Sequence, residues 1–92
     1  MDESYAEVGT EVILGKHVHK FGGQNWIEAK EAFVGMRTTI TRVRGLRDFA
    51  GCLCCSVVCD GGEYSWRVES MILASDVPLL TQEQRIQLRI RE

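Results

Sequence analysis

Val8, Val12, Leu14 and Val18 alternate with other residues through "EVGTEVILGKHVHK", all at even positions, and this period of two predicts a first strand from about Thr10 to His19. Gly15, inside that stretch, offers a place for a bend or bulge. "FGGQNW" reads as a loop, because Gly22, Gly23 and Asn25 favour turn conformations. "IEAKEAF" (Ile27 to Phe33) contains good helix formers behind a possible Asn25 N-cap. It is too short to be more than a helical turn within a long loop. Gly35 opens a second strand, "MRTTITRVR", rich in β-branched residues. Ile40 and Val43 can face the same side of that strand only across a β-bulge.

"GLRDFAG" is the next turn, and Cys52 to Cys59 form a third strand. Asp60-Gly61-Gly62 is the strongest hairpin signal in the chain. Glu63 to Glu69 then alternate as a fourth strand, with Tyr64, Trp66 and Val68 on one face and Glu63, Ser65, Arg67 and Glu69 on the other. Arg67 is therefore expected to point away from the core. "SMILA" gives a short turn and a fifth strand, and Pro78 closes the unit. Five short strands with one long first loop describe a mainly β fold, a small five-stranded SH3-like barrel over residues 8–78. An OB-fold would place a helix between its third and fourth strands, where this chain has only Asp-Gly-Gly.

The tail, residues 79–92, supports two patterns. Thr81 and Gln84 make a capping box for a helix with Ile86 and Ile90 on one stripe. "RIQLRIR" also alternates as a strand, with Ile86, Leu88 and Ile90 on one side and Arg85, Arg89 and Arg91 on the other. Either form is amphipathic, and its apolar side needs a cover. Association with a partner, or with the acidic N-terminus (Asp2, Glu3, Glu7) of a second copy, would supply one. Folding back on its own barrel would supply another.

Composition narrows the function. Ninety-two residues make one domain, and 45% apolar with 26% charged residues is ordinary for a soluble globule. A net charge of -2 disfavours nucleic acid and anionic membranes as partners. No apolar run approaches the roughly 20 residues of a membrane span. The N-terminus lacks the apolar core of a signal peptide, so the expected compartment is intracellular and reducing, where structural disulfides are uncommon.

The four cysteines are the candidate chemistry. Cys52 and Cys55 have CxxC spacing, and His17 and His19 lie two apart, so a zinc site can be imagined. A strand sends Cys52 and Cys55 to opposite faces, however, and no second ligand pair follows at a useful distance. Leu53, Cys55, Val57 and Cys59 read better as one core face, with cysteine as a small apolar residue. No nucleophile stands beside an evident base, and there is no P-loop or GxGxxG. Neither catalysis nor a cofactor is expected.

Trp26, Phe49, Tyr64 and Trp66 either fill the interior or wall an aromatic cage for a methylated side chain through cation–π attraction. Arg37, Arg42, Arg44 and Arg47 form the one basic cluster, a contact for an acidic protein partner or, less favoured, phosphate. "GKHVHKFGGQNW", "FVG" and "DGGEYSWRVESM" together resemble a small SH3-like module with a GxHxxxxGxxNW opening and a DGGxYxWRVxxM hairpin. They are distantly similar to SH3-like barrels of the MIB/HERC2 kind. The resemblance spans about Val12 to Leu73 and implies a non-catalytic interaction unit. An ALYDY-type motif is absent, so polyproline binding is not implied. The expected role is a protein-interaction or structural adaptor that docks into a larger assembly or an oligomer. A reader of a modified peptide is the alternative, and a zinc-binding module the third.

Overall fold

A computed structural model describes residues 1–16, 28–44 and 51–91. Its strands are β1 (Glu11–Ile13), β2 (Arg37–Val43), β3 (Cys54–Val57), β4 (Trp66–Arg67) and β5 (Ile72–Leu73). They form one antiparallel sheet in the order β4-β3-β2-β1-β5, curled into a half-barrel. The expected closed barrel is corrected by this order: β4 and β5 are the two edges and do not pair with each other. A 3-10 turn, Val68–Ser70, carries the chain from one edge to the other.

The strands are shorter than their alternation suggests, for local reasons. β1 ends at Ile13, well before His19, because Gly15 abuts the Ser70 carbonyl oxygen with no room for a Cβ. β4 keeps only Trp66 and Arg67 of the expected Glu63–Glu69. The Asp60 carboxylate draws the backbone N–H groups of Gly62 and Tyr64 into the turn, at 2.8 and 3.2 Å. Gly61 and Gly62 take left-handed φ values of 69° and 79° there, which glycine adopts without strain. On β2, the register shifts between Ile40 and Arg42, so the bulge expected between Ile40 and Val43 is present.

The core gathers Val12, Leu14, Ile40, Cys55, Val57 and Trp66, with Val68 and Met71 behind them. All four residues of β3 are buried, so both faces of the sheet are covered there. That overturns the expected outward Arg67. It pairs with Cys54 across the ladder and is 3% exposed, within 3.7 Å of Glu69. The N-terminal segment is fastened to residues just before β5 and β3. The Met1 amino group donates to the Met71 carbonyl at 2.6 Å, and Glu3 accepts from the Leu53 N–H at 3.3 Å. Met1 and Ala6 pack against the core beneath these two bonds. None of the described helices is long and apolar enough to cross a membrane.

Candidate functional site

The hairpin places Trp66 first. Its ring is 1% exposed, and its indole N–H donates to Asp60 Oδ2 at 2.8 Å. Above the ring lies Lys30, from the 3-10 segment Glu28–Phe33, with Nζ 5.0 Å from the centroid. Lys30 is only 3% exposed, and its ammonium donates to the Ser65 carbonyl at 2.6 Å. Burial holds the Lys30 amine below the ordinary lysine value, with Arg67 adding to the effect and Cys54 and Asp60 opposing it. Tyr64 is half-buried, with Phe33 at 6.2 Å between centroids and a 55° tilt. Trp66 is thus a core residue whose cationic neighbour is the chain's own lysine, not an open cage wall. Trp26, Phe49, Arg47, His17 and His19 lie outside the described residues.

The cysteines are free thiols. Cys54 and Cys55 are buried, while Cys52 and Cys59 are half-buried. Burial, with Cys54 alongside, pushes the Cys55 thiol up to about 11. Burial also raises Cys59, against the hydrogen bond from Thr38. A raised thiol value opposes the thiolate that nucleophiles and metal ligands require. Among the described residues no three His, Cys, Asp or Glu side chains converge on a metal position.

The arginines of β2 are spread along it. Arg37 reaches Glu11 at 3.5 Å across the β1–β2 ladder, Arg42 is exposed beyond the register shift, and Arg44 is half-buried. Arg37 begins β2 and Arg44 lies just past its end at Val43, with the register shift between them. That spacing makes no compact phosphate cradle.

The tail forms the more pronounced feature. Helix α1 (Gln82–Gln87) has the capping box complete: Thr81 Oγ1 accepts from the Gln84 N–H, and Gln84 Oε1 from the Thr81 N–H. The chain then folds back on its own sheet. The Arg91 N–H donates to the Gly35 carbonyl at 2.9 Å, and Arg91 Nε to the Val34 carbonyl at 3.1 Å. Arg85 donates to the Val77 carbonyl at 3.1 Å, and Arg89 to Glu31 Oε2 at 2.8 Å. Lys16 meets the other oxygen of Glu31, also at 2.8 Å. Gly35, at φ 85°, lies directly against the Arg89 carbonyl, where a Cβ would overlap it. Arginines thus face the body, while Leu79 (80%), Ile86 (66%) and Leu88 (36%) are exposed; Ile90 is half-buried.

Between tail and body runs a cleft of about 430 Å³, with Val34, Met71, Ile72 and Leu88 among its apolar walls and Lys16, Arg89 and Glu69 its charged ones. Sequence reasoning missed Lys30, Lys16, Glu31 and the inward direction of the tail arginines. No periodicity or motif marks these contacts, since they join residues as far apart as Glu31 and Arg89, 58 positions from each other. The chain matches no protein-family model, and neither curated proteins nor solved structures give a significant match.

Proposed function

We propose that this chain is a non-enzymatic protein-interaction module of SH3-like type, which docks through its C-terminal segment into a larger assembly or an oligomer. The β1–β4 meander, with β5 returning to β1 after a single 3-10 turn, supports the SH3-like reading. The reversed polarity of the tail carries the functional one. A tail that ties Arg85, Arg89 and Arg91 to the body and leaves Leu79 and Ile86 in water is poorly arranged for a free surface and well arranged for a protein contact. Edge-strand addition is the weaker route, because β4 and β5 are two residues each.

The test is a Leu79→Asp/Ile86→Asp variant, neither residue belonging to the core. Light scattering across a concentration series and retention of lysate proteins on immobilised chain are compared with wild type. The expected wild-type result is a mass above the 10.4 kDa monomer, or stoichiometric retention of a partner. The variant should lose both at an unchanged melting temperature. A variant that associates like wild type, or a wild type that stays monomeric and retains nothing, overturns the reading.

A further inference from the structure

We infer that residues 88–91 are a two-state segment, closed in this structure by a left-handed Arg89 and continuing α1 as a helix when released. Among the described residues, Arg89 is the one non-glycine position with a left-handed backbone, at φ 57°. The end of α1 shows why. The Ile90 N–H donates to the Arg85 carbonyl at 3.1 Å, and the Arg89 N–H to the Ile86 carbonyl at 3.0 Å. This is the usual two-bond closure of a helix C-terminus, whose left-handed position is ordinarily glycine. An arginine there is strained.

The local sequence carries no stop signal. From Gln82 to Arg91 the chain holds only Gln, Glu, Arg, Ile and Leu, with neither glycine nor proline. All but isoleucine are strong helix formers. Its capping box has already nucleated α1, so each further residue is a propagation step free of the nucleation cost. What ends the helix comes from elsewhere in the fold. The Arg89 guanidinium is drawn to Glu31 at 2.8 Å, the Arg89 carbonyl abuts Gly35, and Arg91 bonds the Gly35 and Val34 carbonyls. All these fastenings fall within residues 31–35, so the segment closes or opens as a unit. Local preference and tertiary contact oppose each other at one residue, as in a bistable element.

Opening changes the surface. In a continuous helix Ile86 and Ile90, four positions apart, share one face. In the closed form Ile86 is exposed and Ile90 half-buried, and Leu88 and Arg89 line the cleft. The switch itself is independent of the docking reading. Its effect on docking, a longer apolar stripe offered to the partner, rests on that reading.

The experiment uses the full chain, labelled with 13C and 15N. Arg89→Gly and Arg89→Ala both lose the bond to Glu31 but differ at the left-handed position, which glycine occupies without strain. The Arg91 amide should be protected from hydrogen exchange at least about five-fold more in Arg89→Gly than in Arg89→Ala. Equal protection overturns the inference. In Gly35→Ala the closed form is blocked, because a Cβ overlaps the Arg89 carbonyl. The Ile90 13Cα shift should then move toward its helical value, with an NOE joining Leu88 Hα to Arg91 Hβ. A coil-like Ile90 without that NOE, or an unchanged spectrum, overturns the inference. Shifts from β1 to β3 report whether Gly35→Ala stays folded, and the Arg89 pair decides the matter if it does not. Both readouts report one chain's backbone, so a chain that fails to associate still tests the switch.

Discussion

Gly35→Ala is the sharpest test of how the tail is seated. Gly35 sits at φ 85°, a left-handed conformation that costs an alanine roughly 1–2 kcal/mol. The added methyl would also overlap the Arg89 carbonyl oxygen. The tail must then lift, and the two Arg91 bonds to Gly35 and Val34 go with it. Each contributes about 0.5–1.5 kcal/mol, and the exposed Arg89–Glu31 pair about 0–1 kcal/mol. The full cost should therefore be about 2–6 kcal/mol, a large share of the stability of a domain this size. Urea denaturation of Gly35→Ala is measured in the whole chain and in a chain ending at Leu88. The central hydrophobic cluster draws nothing from beyond Met71, so the shortened chain keeps it. There, Gly35→Ala should cost only its backbone term, about 1–2 kcal/mol. Equal costs in the two backgrounds, or a cost below about 1 kcal/mol in the whole chain, would refute the docked tail.

Trp66→Ala should cost about 3–5 kcal/mol, and Asp60→Asn about 1–3 kcal/mol through the hydrogen bonds it weakens, both read as shifts in urea midpoint. A Trp66→Ala chain that melts like wild type would make Trp66 a surface residue. Lys30 has a depressed amine, so between that depressed value and 10.5 the unfolded chain binds more protons than the folded one. Wild-type stability should rise with pH through that window relative to Lys30→Met, and a difference that stays flat from pH 7 to 10.5 would show that the amine is not buried. Cys55, with its thiol near 11, should resist iodoacetamide at pH 8 in the folded chain and react once unfolded. Rapid labelling of native Cys55, mapped by mass spectrometry, would contradict its burial.

Much of the sheet was legible from side-chain period alone. The bulge on β2 followed from Ile40 and Val43 needing one face, and the hairpin from Asp60-Gly61-Gly62. Tail geometry was half legible: Thr81 and Gln84 announced the helix, but a helix and a strand pattern coexist in "RIQLRIR", and the arginines are placed by partners outside that stretch, Val77, Glu31 and Val34. Arg67 misled because period two assigns faces without saying what covers them, and both faces of β3 are covered. Lys30 was illegible for a related reason. Nothing in "EAKEAF" shows that the hairpin will present an indole ring to it, since that contact joins residues far apart in the chain.

The Asp60–Trp66 bond spans six positions, whereas Met1 reaches 70 residues to Met71 and Arg91 spans 57 to Val34. Closing a short loop costs much less chain entropy than closing a long one, so this hairpin is the natural nucleus and both ends of the chain arrive late. The two fastenings then act as locks on the finished molecule. Substitutions at Asp60 should slow folding, while substitutions at Gly35 or Arg91 should leave the folding rate nearly untouched and speed unfolding. The lifetime of the native state is thus set at the periphery, by a few carbonyl contacts made after the core has formed.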